Sequence, residues 1–198
     1  MIVLVTGGSG SGKSAFAESL SVKLHGDKKF PMLYIATMFP FDEEAFKKIE
    51  RHKRLRKTKN FDAIECFTHL EKIETEIKTT ALLECMSNLV ANEMYQEDGA
   101  KENTVDAVLK GLLTLESKVE NLVIVSNEIF SDGIDYDDES TRYQEYLGTI
   151  NAGIAKKADL VVEIVYGIPI VHKGQLPEGI STCYKNERIL SEGKKEQC

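Results

Sequence analysis

At 198 residues, with 42% hydrophobic and 29% charged positions, the chain has the size and balance of one globular domain with a full core. A net charge of −7 and a pI near 5.2 exclude a duplex nucleic-acid groove, which needs a basic face, and the basic run from Arg51 to Lys57 is too short to supply one. No apolar run approaches the ~18 residues of a membrane span, the apolar start lacks a signal peptide's basic lead, and the scattered Cys66, Cys85, Cys183 and Cys198 indicate neither a zinc site nor a disulfide frame, so a reduced, cytoplasmic setting is expected.

The first predicted element is a strand over Ile2–Thr6, running straight into Gly7-Gly8-Ser9-Gly10-Ser11-Gly12-Lys13-Ser14 and then a helix over Lys13–Leu24. A strand over Met32–Ala36 follows, then a helix over Asp42–Arg56, whose opening Asp42-Glu43-Glu44 sets acids at the positive end of the dipole. Further strands are predicted at Ala81–Glu84, Leu122–Ser126 and Leu160–Tyr166, and further helices at Met86–Tyr95, Thr104–Lys118 and Ser140–Lys157. Gly167 and Pro169 break the last run, so Ile168–His172 is read as an antiparallel edge strand. Gln96–Asn103 reads as a polar connection. The alternation predicts an α/β fold: a mostly parallel sheet of the P-loop NTPase type, flanked by helices. Residues 1–173 form the expected domain, with 174–198, where apolar periodicity is lost, as a C-terminal appendage.

The sequence G-x-x-x-x-G-K-S after an apolar strand is the phosphate-binding P-loop. Its glycines let backbone N–H groups turn inward around phosphate oxygens, the helix aims its positive end there, and Lys13 adds a full charge. Ser14 is placed to hold Mg²⁺ through its hydroxyl. The motif points to a nucleoside triphosphate but leaves the reaction open. Neither D-x-x-G nor N-K-x-D occurs, which argues against a switch GTPase.

Two further features carry chemistry. His52 lies among Arg51, Lys53, Arg54 and Arg56, in a helix where Phe46, Ile49 and Lys53 share a stripe. Like charges disfavour the imidazolium, and a neutral imidazole in a cationic setting is suited to attack phosphorus. Read from composition alone, the same residues describe an exposed histidine on a solvated basic helix. Glu84 and Glu128 each follow an apolar run, where open parallel sheets gather ligands. Each suits either support of a metal ion or plain solvation of a strand end.

Taken in order, Val5-Thr6-Gly7-Gly8 through Ser14, Tyr34-Ile35-Ala36-Thr37, Ile49-x-Arg51-His52-Lys53-x-x-Arg56 and Leu82-Leu83-Glu84-Cys85 resemble a known family. So do Val125-Ser126-Asn127-Glu128, Gly148-x-x-Asn151, Ala158-Asp159 and Gly167-Ile168-Pro169. The family is the bifunctional adenosylcobinamide kinase / adenosylcobinamide-phosphate guanylyltransferase of cobalamin biosynthesis, and the likeness runs from Met1 to about Lys173. It implies two stages. A nucleoside triphosphate, ATP or GTP, first phosphorylates a hydroxyl of the corrinoid. A histidine then attacks the α-phosphorus of GTP, and the resulting guanylyl-histidine passes GMP to the phosphorylated corrinoid. His52 matches that histidine. The resemblance places nucleotide contacts on the P-loop, on Ala36, Thr37 and Met38, on Lys53, Arg54, Leu55 and Arg56, and on Glu65 and Glu84. It also implies a homotrimer with nucleotide sites near subunit contacts. A plain small-molecule kinase, in which His52 has no covalent role, is the alternative, and a nucleotide-responsive binding protein without turnover stands behind it.

The chain departs from the family pattern at Ile129-Phe130-Ser131-Asp132-Gly133-Ile134-Asp135, where V-G-x-G-I-V-P is common. It departs again at Gln144-Glu145, at Ala152, and at Phe61, where a tryptophan is expected.

Overall fold

A computed structural model describes residues 1–131 and 133–180; the side chains of Lys48, Arg51, His52 and Leu55 lie outside what is described, as does most of the predicted appendage, residues 181–198. The elements run β1 (Ile2–Thr6), α1 (Lys13–His25), β2 (Met32–Ala36), α2 (Glu43–Arg56), β3 (Phe61–Glu65), β4 (Thr80–Glu84) and α3 (Met86–Tyr95). They continue as α4 (Thr104–Lys118), β5 (Asn121–Val125), α5 (Asp138–Lys157), β6 (Leu160–Val165) and β7 (Ile168–Lys173). The strands form one sheet in the order β3-β2-β4-β5-β1-β6-β7. All neighbours pair in parallel except β7, which returns antiparallel on β6 as the sequence predicts.

Central strands are apolar on both faces because both faces are covered. Leu4, Leu33, Ile35, Leu83 and Ile124 face the layer of α3, α4 and α5, while Val3, Val5, Tyr34, Leu82 and Val123 face α1 through Phe16, Ala17 and Leu20. Burying such side chains fully stabilises the fold by ~1.5–3 kcal/mol each relative to exposure. Leu176 and Ile180 pack against the α1-side core, so the chain past Lys173 adheres to the domain at least to Ile180. Among the described residues no helix is long and apolar enough to cross a membrane.

Helix starts follow their caps. Asp42 Oδ1 accepts the Ala45 N–H at 2.7 Å at the head of α2, and Asp137 Oδ1 accepts the Ser140 N–H at 2.7 Å at the head of α5, which begins two residues before the predicted Ser140 for that reason. β3 was not predicted. Its Phe61-Asp62-Ala63-Ile64-Glu65 pairs with β2 along one side only, leaves its other side unpaired, and carries too few apolar residues to signal a strand. Tyr166, predicted to end a strand, instead forms with Gly167 the two-residue turn between β6 and β7, at φ of 51° and 79°.

Candidate active site

β1 lies inside the sheet between β5 and β6, and the loop at its C-terminal end is the phosphate cradle. Gly10 and Gly12 take φ of 73° and 96°, left-handed values that glycine alone adopts freely, and Gly12 caps α1 in that conformation. The Ser11 N–H and the Lys13 ammonium both donate to Gly8 O, at 3.2 and 3.1 Å, closing the loop over the helix end. The loop is held from both flanks. Gly7 O accepts from the Glu128 N–H at 3.0 Å, and Ser11 O accepts from the Gly167 N–H at 2.9 Å. Burial lowers the Lys13 pKa from its usual value, against the pull of Cys85 and Glu84. A cleft of about 620 Å³ opens above the loop, walled by Glu128, Glu163 and the β6–β7 turn.

Glu84, at the end of β4, meets the cradle. Its Oε1 accepts the Ser14 hydroxyl at 2.7 Å, while its Oε2 is sealed from solvent with no hydrogen-bond partner among the described residues. Burial pushes the carboxyl up to about 7, opposed by the Ser14 hydrogen bond and the Lys13 charge. Of the two acids that the sequence marked equally, this one touches the P-loop serine. Glu128 instead bonds its own loop, accepting from the Phe130 N–H at 3.0 Å and the Ser131 hydroxyl at 2.8 Å.

The other side of Glu84 forms the wall of a second pocket, of about 240 Å³. The ends of β2, β3 and β4 supply Ala36, Glu65 and Glu84, Met38 follows β2, and α2 supplies Ile49, Lys53 and Arg56. The Arg56 guanidinium sits over the Tyr34 ring, 3.5 Å from its centroid, a cation–π contact that ties the end of α2 to the sheet. Positions 49, 53 and 56 recur at helical spacing, and position 52 falls on that same face of α2. A second tether follows the helix: Lys59 Nζ bonds Glu18 Oε2 at 2.5 Å, joining the chain after α2 to α1.

The structure thus brings together Gly7 to Ser14, Glu84, Ala36, Met38, Lys53, Arg56 and Glu65. Thr37 is adjacent but turned inward: its hydroxyl donates to Cys85 O at 2.7 Å and its N–H to Glu84 O at 3.0 Å, so it braces the loops after β2 and β4. Arg54 is exposed and lines neither pocket. The side chains of His52 and Leu55 lie outside those described, and the backbone places both residues in α2. Reasoning from sequence missed the pairing of Tyr34 with Arg56 and the presence of Asn88 and Cys85 in the pocket wall. The Tyr34 aromatic at the start of an otherwise aliphatic Tyr-Ile-Ala-Thr stretch was the one available signal.

Residues 3–172 match the family described as cobinamide kinase / cobinamide phosphate guanyltransferase, CobU. The bifunctional adenosylcobalamin biosynthesis protein CobU of Salmonella typhimurium is 30% identical over 184 residues, covering 86% of this chain and 98% of that protein. The protein of the same description from Escherichia coli is 28% identical over 184 residues with the same coverage. The bifunctional adenosylcobalamin biosynthesis protein CobP of Pseudomonas aeruginosa is 27% identical over 176 residues, covering 87% of this chain and 97% of that one.

Proposed function

We propose that this chain, which belongs to the cobinamide kinase / cobinamide phosphate guanyltransferase family, phosphorylates adenosylcobinamide and then carries GMP to the product through a guanylyl-histidine at His52. It is a transferase of cobalamin biosynthesis, with nucleoside triphosphates and a small-molecule corrinoid as substrates. The observation that carries the site assignment is the position of Glu84: one carboxylate bonds the P-loop serine and walls the pocket that α2 completes.

In the first stage the corrinoid hydroxyl attacks Pγ of ATP or GTP, the bond from Pγ to the β,γ-bridging oxygen breaks, the nucleoside diphosphate leaves, and the hydroxyl proton is released. In the second, the lone pair of the neutral His52 imidazole attacks Pα of GTP and the bond to the α,β-bridging oxygen breaks, releasing pyrophosphate. A phosphate oxygen of the corrinoid product then attacks Pα, and the P–N bond breaks to free His52. Gly8 to Gly12 and Lys13 hold the phosphates that leave, and Lys53 and Arg56 stand where a transferring Pα needs positive charge. Thr37 braces the loops after β2 and β4 beside the nucleotide, and the family resemblance implies contacts from Arg54 and Leu55.

The residues fit Mg²⁺. A serine hydroxyl lies beside a buried carboxylate whose second oxygen has no partner among the described residues, a hard-oxygen donor set. Ser14 and Glu84 would hold the ion, which supplies neutralising charge on the phosphates when bound. Residues 1–173 carry the chemistry with 174–198 as an appendage, and the enzyme works in the cytoplasm as a homotrimer. The match to the family over residues 3–172 supports this reading.

Incubating the enzyme with Mg²⁺ and GTP labelled at the α-phosphate tests the assignment. Protein-bound label that is lost in acid and kept in alkali, and that His52→Ala removes, is the expected result. A folded, Mg²⁺-supplied sample that takes up no α-label while moving γ-phosphate to the corrinoid would reduce the chain to a plain kinase.

A further inference from the structure

The two half-reactions put different demands on one phosphate cradle. The kinase must present Pγ to an acceptor, whereas guanylyl transfer must present Pα to α2. A triphosphate whose base sits on the α2 side of the cradle, beside Met38, Ile49 and Glu65, points Pα toward α2, with its β- and γ-phosphates in the loop. That pose holds Pγ inside the cradle. The reverse pose needs a base site on the other flank of β1, and such a site is present. β6 and β7 lie on that flank, opposite β4, β2 and β3. The cleft there, about 620 Å³, has Gly8 to Gly12 as its floor and residues 163–168 as its wall, and shares no lining residue with the α2-side pocket.

Tyr166 stands at the rim of this cleft and is 94% exposed. Its backbone is left-handed at φ 51°, a turn position that glycine, asparagine and aspartate favour, so turn geometry does not account for a tyrosine there. The turn is rigidly placed, because the Gly167 N–H donates to Ser11 O at 2.9 Å. An exposed ring carried on a fixed turn beside a phosphate cradle offers a base a face to stack on. Glu163, whose carboxylate pairs with His172 Nε2 at 2.9 Å, is a further residue of the same wall. With the base at this flank, the far end of the triphosphate faces the adjoining pocket of about 450 Å³ at the end of β5. That pocket shares Ser9 and Glu128 with the cleft and is roomy enough for an acceptor side chain.

We infer that the cleft walled by the Tyr166–Gly167 turn binds the purine base of the phosphoryl donor, so that one cradle serves two base sites on opposite flanks, one for each half-reaction. The inference rests on the bifunctional reading above.

Tyr166→Ala and Tyr166→Phe test it, with two readouts on each. The first is the KM for ATP in the kinase reaction, and the second is the dependence of protein-bound α-label on GTP concentration. Loss of one stacked base predicts an increase of about tenfold in KM for ATP with Tyr166→Ala, restoration by Tyr166→Phe, and a labelling curve unchanged in both. Photolabelling by an azido-ATP on the 160–173 peptide, suppressed by excess ATP, is expected in parallel. Unchanged KM for ATP, or equal weakening of both readouts, overturns the inference. Should the wild type take up no α-label, the guanylyl-histidine reading fails, while the KM comparison still decides the Tyr166 site.

Discussion

Replacing Glu84 by glutamine separates what this residue does to the fold from what it does in the chemistry. The buried, half-satisfied carboxyl holds its proton up to about pH 7, against an ordinary value of 4.5. A folded-state pKa above the unfolded one gives stability that is fully present below the unfolded value and is lost as pH rises through about 7. The full shift corresponds to ~3.4 kcal/mol at 1.36 kcal/mol per pKa unit. Oε2 is sealed, but part of the side chain faces the α2-side pocket, so water reaches it and the working figure is about 1–2 kcal/mol. Glutamine keeps the shape and an oxygen for the Ser14 hydroxyl but cannot ionise. In urea titrations of the metal-free protein, Glu84→Gln should therefore exceed the parent by about 1–2 kcal/mol near pH 8.5 and match it near pH 5. The same variant should lose most of its α-label, because a neutral amide is a poor ligand for a hard cation. A stability difference of equal size at both pH values would refute the desolvation argument.

Two further substitutions probe the supports of the site. Lys59→Met strips the partner from Glu18, whose side chain is 1% exposed and whose Oε1 already lacks a hydrogen bond, and should cost about 3–5 kcal/mol in urea unfolding. Glu18→Gln in the same chain should recover most of that loss, and no recovery would show that packing of the lysine stem, not charge, was removed. Gly7→Ala places a methyl 2.5 Å from the Ile164 carbonyl oxygen, at φ 151°, and should destabilise by about 1–3 kcal/mol; Gly8→Ala meets nothing within 4 Å and should fall within about 0.5 kcal/mol of the parent in the same titration.

What the sequence revealed was what local chemistry determines. Gly10, Gly12 and Lys13 could be read because a phosphate cradle needs left-handed backbone and a cation at fixed offsets, a demand met within eight consecutive residues. The central strands were legible because burial on both faces removes polar residues from them. β3 was not, since an edge strand paired on one side tolerates Asp62 and Glu65. Contacts set by topology were equally hidden. Nothing near Glu84 in sequence distinguishes it from Glu128. Although β5 is the neighbour of β1 and β4 lies one strand further, Glu84 is the last residue of its strand and meets Ser14 in α1, whereas Glu128 falls three residues past β5 and bonds its own loop. Arg56 finds Tyr34 only because α2 is the crossover between the neighbouring strands β2 and β3.

The position of β1 bears on why one P-loop can serve two reactions. A loop at a sheet edge is open from one flank, and a nucleotide bound there has one direction in which to lay its base. Here β1 has β5 on one side and β6 on the other, so the cradle is approached from both flanks. On the β4 flank the approach passes a pocket joined to a cationic helix, which suits attack on Pα. On the β6 flank it passes an exposed aromatic turn and leaves Pγ facing the end of β5. The helix is tethered at its C-terminal end by Arg56 on Tyr34, and the chain just beyond it by Lys59 on Glu18. The cradle is pinned from both flanks by Glu128 and Gly167. Choice between the half-reactions then lies in which base site is filled, and competition between ATP and GTP for the shared phosphate loop is its thermodynamic consequence.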